Sequence, residues 1–280
     1  MGTVHIKDRA ELQRKIDRIK KDGISSLHVI SDFDKTLTTA FVDGEKVQST
    51  YALIRNGKYL SPEYVQRSHA LFDKYHPYEA ADDLMEEERN AMMVRWWKEH
   101  YQMMVDCGLS QAVIKDIIRS GKLRLRAGAS ALFHSLADKN IPLLIFSAGQ
   151  GDIITEFLKQ NGYDTPNVHV ISNFFTFSAD GLADGYKEPF IHTFNKNEVV
   201  VRETPYYQQV KDRRHVILLG DSLGDLGMSE GLEHDVIIKI GFLNENKEKF
   251  LKKYLNMFDV VITDDSGMEY VDDILTQVLR

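Results

Sequence analysis

The stretch that decides the fold covers residues 27–38 and reads LHVISDFDKTLT, an apolar run followed by two aspartates. Similar apolar runs occur further along the chain and end at PLLIFSAG, VHVISN, VILLGD, VIIKIG and VVITDD. Segments with helical spacing of apolar residues lie between them, and another such segment, Asp8 to Lys21, precedes the first run. Strands that alternate with helices form a parallel sheet covered on both faces. The sequence therefore predicts an α/β fold.

The spacing of the first two strands indicates an insertion. About a hundred residues separate the strand at Leu27 from the strand at Leu143, although a crossover needs only about a dozen. The patterns in this interval predict three helices, over residues 61–72, 86–105 and 110–120. We therefore expect a Rossmann-like core, formed by residues 1–44 and 123–280, with an inserted α-helical cap at residues 45–122.

Composition excludes several classes of protein. The 280 residues include 43% hydrophobic side chains, enough for a full core, and carry a formal net charge of -7 at pH 7. The basic residues form no long run, so a nucleic-acid polymer is not an expected partner. No apolar stretch approaches the roughly 18 residues of a membrane span, the N-terminus is too polar for a signal peptide, and Cys107 lacks a partner for a disulfide. We expect a cytoplasmic protein that does not bind membranes, either a monomer or a weak homo-oligomer.

Two aspartates, Asp32 and Asp34, directly follow the first strand. The carboxyl end of a strand lies at the ligand-binding edge of an open α/β sheet, and an extended backbone would point both side chains to one side. One carboxylate can attack phosphorus to form an aspartyl-phosphate, while the other protonates the leaving oxygen and later activates water. The alternative is that the two aspartates only cap or shape a turn. The pair therefore indicates a phosphoryl-transfer site.

A second acidic segment, GDSLGD at residues 220–225, follows the strand predicted at residues 216–219. Mg²⁺ prefers oxygen ligands and is usually held by one or two carboxylates together with water and phosphate. Asp221 and Asp225 would therefore complement Asp32, and the metal would offset repulsion between carboxylates and phosphate. The alternative is a plain strand-to-helix turn with an N-cap.

Two further features suit a bound phosphate. Ser147, Ala148 and Gly149 follow another predicted strand, where a hydroxyl and free backbone N–H groups at a helix start can bind phosphate oxygens. Lys196, in the segment HTFNKN, could supply the fixed positive charge that stabilises developing charge in phosphoryl transfer. Each signal is weak alone, but three strand ends would bring acids and a hydroxyl to one crevice.

The order of these segments resembles the four motifs of the haloacid dehalogenase superfamily of phosphatases: DFDKT, a serine after a strand, a lysine, and GDSLGD. The resemblance implies that Asp32 is the nucleophile, that Asp34 is the general acid and base, and that Asp221 holds Mg²⁺. We expect a metal site of Asp32, Asp34 and Asp221, with Thr36 and Asp225 in support. The presence of Asp34 argues against the dehalogenase branch, which lacks that acid.

A closer resemblance comes from the segments SAGQGD, VISNFF, HTFNKN, LLGDSLGD and IKIGFLNE, with KYHPYE and MVRWW in the cap. They are similar to the cytosolic 5′-nucleotidase type III (pyrimidine 5′-nucleotidase) family. This resemblance implies a Mg²⁺-dependent 5′-nucleotidase for nucleoside 5′-monophosphates, with pyrimidine or 7-methylguanosine monophosphate preferred and Lys196 rather than Lys187 at the phosphate. It also implies a nucleoside pocket in the cap at Glu79, Trp97 and His100.

Helical spacing bears on the same part of the cap. Residues 93, 97, 100 and 104 share one helical face, so Trp97 and His100 could look into the crevice together. Trp96 is expected in the core of the cap instead. Trp97 and Glu79 could recognise the base, because an indole can stack on it and a carboxylate can accept hydrogen bonds from it.

Three other functions stay open. The chain could be a phosphatase for another small metabolite such as phosphoserine, which substrate profiling would reveal. It could be a catalytically silent nucleotide-binding protein, which would bind without turnover. It could also transfer phosphate to a nucleoside instead of water, which a competing acceptor nucleoside would detect.

Overall fold

The computed structural model describes residues 3–47, 49–80, 84–196 and 200–280. Its strands are β1 (Val4–Ile6), β2 (Leu27–Ser31), β3 (Phe41–Val42), β4 (Glu45–Lys46), β5 (Leu143–Gln150), β6 (Val168–Asn173), β7 (Phe175–Phe177), β8 (Ala183–Tyr186), β9 (His215–Gly220), β10 (Val236–Leu243) and β11 (Val260–Thr263). Its helices are α1 (Arg9–Asp22), α2 (Thr50–Asn56), α3 (Pro62–Ala80), α4 (Glu86–Asp106), α5 (Gln111–Arg119), α6 (Ala129–Asp138), α7 (Gly151–Gln160), α8 (Pro205–Val210), α9 (Lys247–Met257) and α10 (Glu269–Leu279). Among the described helices, none combines the length and apolar character needed to cross a membrane.

Seven strands form the central sheet in the order β1-β11-β10-β9-β2-β5-β6. The strands from β11 to β6 run parallel, as the sequence predicts. Strand β1 pairs with β11 in the antiparallel direction, and it was not predicted because three residues give no periodic pattern. Since β2 lies between β5 and β9, the carboxyl ends of these three strands meet where ligands bind in open α/β sheets.

Helices cover both faces of this sheet. Along β5, Leu143 and Ile145 belong to the hydrophobic cluster that includes α1, α6, α7 and α10. Leu144 and Phe146 belong to the other cluster, which includes α8 and contacts α9. Because successive side chains of a strand point to opposite faces, the two clusters lie on opposite sides of the sheet. This burial on both sides explains why the central strands are continuous apolar runs.

The insertion between β2 and β5 consists of the short β3–β4 hairpin and helices α2 to α5. The two chain segments that join it to the sheet run side by side, since the N–H of Thr39 donates to Arg124 O and the N–H of Arg126 donates to Leu37 O. Trp96 is buried, with 7% exposure, as expected for a residue in the core of the cap. The division at residues 44/45 and 122/123 stays a prediction.

Candidate active site

Asp32 directly follows β2, a central strand of the sheet, and is buried. The Lys196 ammonium donates to Asp32 Oδ1 and to Asp225 Oδ1, both at 2.7 Å. Burial raises the pKa of Asp32 to about 7, against the opposing effect of Lys196. Burial also disfavours the charge on Lys196, but Asp225 and Asp32 outweigh it and raise the pKa of this lysine. The site thus holds a charged lysine directly beside the predicted nucleophile, whereas Lys187 lies over the ring of Phe174.

Asp225 has a structural part in this arrangement. Its Oδ2 accepts hydrogen bonds from the N–H of Asp221, the N–H of Ser222 and the Ser222 hydroxyl, at 3.1, 2.9 and 3.0 Å. Its other oxygen holds Lys196. A side chain at Gly220 would meet the Asp225 Cβ at 2.5 Å, so only glycine fits there without a shift. The GDSLGD segment is therefore both the predicted N-capped turn and part of the acidic site.

Asp32, Asp221 and Asp225 form a group in which one carboxylate oxygen from each residue lies within 4.8 Å of the other two. Burial, reinforced by repulsion from Asp225 and Asp32, raises the pKa of Asp221 well above its ordinary value. Oxygen donors of this kind suit a hard divalent cation, whose charge would offset the repulsion. The structure places Asp225 in this group, while the carboxylate of Asp34, predicted as a metal ligand, points to Thr50 instead.

Asp34 lies in an irregular helical turn, Phe33–Leu37, that begins directly after Asp32. The turn begins at Phe33, between the two aspartates, and so interrupts the extended backbone on which the sequence argument relied, although Asp34 itself keeps an extended ψ of 122°. The two aspartates therefore share the site, but their carboxylates have different partners. Burial raises the pKa of Asp34, and the N–H and hydroxyl of Thr50 oppose this rise.

The predicted phosphate segment lies at the end of β5, beside Asp34. Ser147 is buried, and its Oγ accepts the N–H of Gly149 at 3.0 Å. A Cβ at Gly149 would approach Thr50 Oγ1 to 2.6 Å, Ser147 Oγ to 2.9 Å and Asp34 Oδ2 to 3.1 Å. Ala148, between them, is half-buried. Because Asp34, Thr50 and Ser147 converge on Gly149, a side chain there would push into the site.

The cap supplies an aromatic group close to the same segment. Trp97 stacks on Tyr51 with ring centroids 4.4 Å apart, and the Tyr51 hydroxyl donates to Gly149 O at 3.1 Å. His100 lies beside Trp97 with centroids 6.3 Å apart, but it is buried and hydrogen-bonded to Tyr64 at 3.0 Å. Among the described residues, the buried indole N–H of Trp97 has no hydrogen-bond partner.

Glu79 connects the cap to the segment that carries Lys196. Its Oε1 accepts a hydrogen bond from the Thr193 hydroxyl at 3.0 Å. Phe194 belongs to the same segment as Lys196, and Arg89 of α4 lies over its ring, 4.0 Å from the centroid. Of the residues predicted for the nucleoside pocket, Glu79 therefore contacts the Lys196 segment, three positions before the lysine.

Two residues with clear structural connections to the site are absent from the sequence prediction. Thr50 contacts Asp34 from the start of α2, and Arg126 donates to the carbonyls of Lys35 and Thr36 in the turn that holds Asp34. The predicted supporting residue Thr36 is fully buried, and within the described part of the chain its hydroxyl has no partner. No local signal identifies Thr50 or Arg126, because both act on partners far away in sequence.

Comparisons with known proteins agree with this geometry. Residues 35–279 match the family model described as "Pyrimidine 5'-nucleotidase (UMPH-1)". The 7-methylguanosine phosphate-specific 5'-nucleotidase A of Xenopus laevis is 37% identical over 274 residues, covering 98% of this chain and 94% of the relative. The 7-methylguanosine phosphate-specific 5'-nucleotidase of Homo sapiens is 35% identical over 279 residues, covering 99% and 93%.

Solved structures give the same result. Cytosolic 5'-nucleotidase IIIB bound to cytidine matches with a TM-score of 0.89 and 34% identity, over 98% of this chain and 93% of that chain. A substrate-bound phosphoserine phosphatase matches with a TM-score of 0.51 and 13% identity, over 88% and 96%, which shows a shared fold alone. The predicted α/β fold class and the expected enzyme class, a 5′-nucleotidase, are confirmed. With most of its length matched by the family model, the chain belongs to the pyrimidine 5′-nucleotidase (UMPH-1) family.

Proposed function

We propose that this protein hydrolyses nucleoside 5′-monophosphates to nucleoside and phosphate through an aspartyl-phosphate on Asp32. The observation that supports it most is the Lys196 ammonium, which lies 2.7 Å from both Asp32 and Asp225 at the carboxyl edge of the sheet. This charge can neutralise a phosphoryl group brought against a buried carboxylate. Asp34 lies beside Gly149 and is close enough to Lys196 for the charge of this lysine to act on it.

In the proposed reaction, an Asp32 oxygen forms a bond to phosphorus as the bond from phosphorus to O5′ of the nucleoside breaks. Asp34 gives its proton to O5′ and becomes a carboxylate. Asp34 then takes a proton from a water molecule, whose oxygen attacks the phosphorus and displaces Asp32. The aspartyl-phosphate divides the hydrolysis into two displacements, and Asp34 assists the first as an acid and the second as a base. Each displacement then has a lower barrier than direct attack of water.

We propose Mg²⁺ as the divalent cation, with Asp32 and Asp221 as its protein ligands. Asp225 completes the acidic group, but both of its oxygens already hold Lys196 and the turn that follows β9. Bound Mg²⁺ would supply positive charge that reduces repulsion between the acids and the substrate phosphate. The carboxylate of Asp34 stays free for proton transfer in this proposal.

For the base, we propose a pyrimidine or 7-methylguanine. Relatives are named for 7-methylguanosine phosphate, and a related structure contains cytidine. Trp97 offers an indole face, which would attract a cationic methylated purine, and Glu79 offers a carboxylate acceptor. His100 is bonded to Tyr64 and supports the position of Trp97 in this proposal. Because one relative and one similar solved structure are named cytosolic, we also place this protein in the cytoplasm.

The test is turnover with Mg²⁺ on a panel of CMP, UMP, 7-methyl-GMP, GMP, AMP, phosphoserine and p-nitrophenyl phosphate. We expect the highest kcat/KM on CMP or 7-methyl-GMP, loss of activity in EDTA, and restoration by Mg²⁺. Asp32→Asn should abolish turnover, whereas the control Asp116→Asn, in an exposed pair with Arg119, should leave it unchanged. A preference for phosphoserine would contradict the proposal, as would binding of nucleotides without turnover.

Phosphate transfer to another nucleoside is measured in the same assay. Addition of a competing nucleoside should leave the yield of inorganic phosphate unchanged if water is the acceptor. Formation of a new nucleoside monophosphate at the expense of phosphate would show that the protein is a phosphotransferase.

A further inference from the structure

Thr50, the first residue of α2, contacts the carboxylate of Asp34 through two different donors. Its backbone N–H lies 3.2 Å from Asp34 Oδ1 and 3.1 Å from Oδ2, and its hydroxyl lies 3.1 Å from Oδ2. The two residues are sixteen positions apart in the chain. Thr50 is fully buried, so a water molecule cannot readily take over its hydrogen bonds.

The direction of the Thr50 hydroxyl hydrogen follows from its second contact. Thr50 Oγ1 accepts the backbone N–H of Gln150 at 2.9 Å, which occupies a lone pair of the oxygen. A hydroxyl has one hydrogen to donate, and the Asp34 carboxylate is the acceptor at hand. The hydroxyl therefore links the end of β5 to Asp34 with a defined polarity.

The space around this link permits little movement. Gly149 lies so close that a Cβ there would meet both Thr50 Oγ1 and Asp34 Oδ2 at 2.6 and 3.1 Å. The next residue of α2, Tyr51, donates to Gly149 O. Asp34, the start of α2 and the end of β5 therefore hold one another in a single arrangement.

We infer that Thr50 is the positioning residue of Asp34: its hydroxyl and N–H fix the carboxylate where it can exchange protons with the leaving oxygen and with water. This inference rests on the proposed function, because it assigns Thr50 a part in the proton transfers. The position of the Asp34 carboxylate then also depends on the position of α2, the first helix of the insertion.

The test compares Thr50→Val, which keeps the shape and removes the hydroxyl, with Thr50→Ser, which keeps the hydroxyl. Because general acid and base catalysis contributes about 10²- to 10⁴-fold, we expect Thr50→Val to lower kcat on the preferred nucleotide by about 10- to 100-fold, and Thr50→Ser to lower it by less than about 3-fold. The inhibition constant of inorganic phosphate should stay within about 2-fold in both variants, because Thr50 acts on the acid and not on the phosphate. If Thr50→Val does not fold, Thr50→Ala takes its place.

A double-mutant cycle separates positioning from general support of the fold. In an Asp34→Asn background, where the acid is already lost, adding Thr50→Val should lower kcat by less than about a further 3-fold. Three results would each overturn the inference. The first is that the kcat losses of the two single variants multiply in the double variant; the second is a phosphate inhibition constant that rises as kcat falls; the third is a wild-type kcat in Thr50→Val. Each of these results would contradict the role of Thr50 while the wild-type protein still hydrolyses nucleotides. Absence of nucleotide turnover in the wild-type protein would instead contradict the proposed function.

Discussion

Replacing Arg126 with methionine should remove the buried guanidinium that joins the turn Phe33–Leu37 to the rest of the core. Its Nε donates to Thr36 O at 2.8 Å, its Nη1 donates to Ser266 O at 2.7 Å, and its Nη2 donates to Lys35 O. Asp265 faces the guanidinium at 3.0 Å as its counter-ion. The Arg126 side chain has 0% exposure and that of Asp265 has 14%, so the ion pair is largely shielded from water.

The size of the effect follows from what methionine would leave behind. Breaking a buried ion pair by removing one partner costs about 3–5 kcal/mol, because the other charge stays buried. Asp265 would keep hydrogen bonds from the N–H groups of Ala40 and Phe41, and Lys35 O would keep the Asn244 amide, which argues against the upper limit. We therefore expect Arg126→Met to lower the free energy of unfolding by about 4 kcal/mol, or the Tm by roughly 10 °C.

Urea unfolding and thermal unfolding measure this loss directly. Arg124→Met is the matched control, because Arg124 pairs with Asp43 at the surface and such pairs contribute at most about 1 kcal/mol. Arg126→Lys should fall between the two, since lysine keeps the charge but cannot reach all the acceptors. If Arg126→Met and Arg124→Met differed by less than about 1 kcal/mol, the reasoning about the buried guanidinium would be refuted.

Two other predictions concern crowding and charge. Gly149→Ala should reduce kcat/KM by at least about 10-fold, because the new methyl group would displace Asp34 or Thr50, while Gly162→Asn, at an open position with a φ of 76°, should keep full activity in the same assay. Burial lowers the pKa of His100 from 6.5 to about 3. As the pH falls below 6.5, this histidine becomes protonated in the unfolded chain but stays neutral in the folded chain. The free energy of unfolding therefore falls progressively toward pH 3. His100→Gln should therefore lose about 2 kcal/mol less stability than wild type between about pH 7 and pH 5 in urea unfolding. Equal losses in the two proteins would show that this histidine is not the cause.

Local sequence patterns predicted the parallel strands, the helices between them and the strand ends that carry the acids, but not the short strands β1, β3, β4, β7 and β8. Apolar runs of four to eight residues and helical spacing are properties of short segments, so they predict the elements directly. Asp32, Ser147 and Asp221 follow three such strands, and neighbouring parallel strands bring their carboxyl ends to the same edge. The family motifs added the proposed roles of these residues.

Tertiary structure alone decided which side chains contact one another at that edge. The carboxylate of Asp34 contacts Thr50 rather than the acidic group, because the turn Phe33–Leu37 interrupts the extended backbone. Asp225, expected near Asp32, bonds both to Lys196 and to the backbone of the turn after β9. Arg126 reaches a turn about ninety residues earlier in the chain. Contacts of this kind depend on how distant elements pack together, and that packing has no signature in any short stretch of sequence.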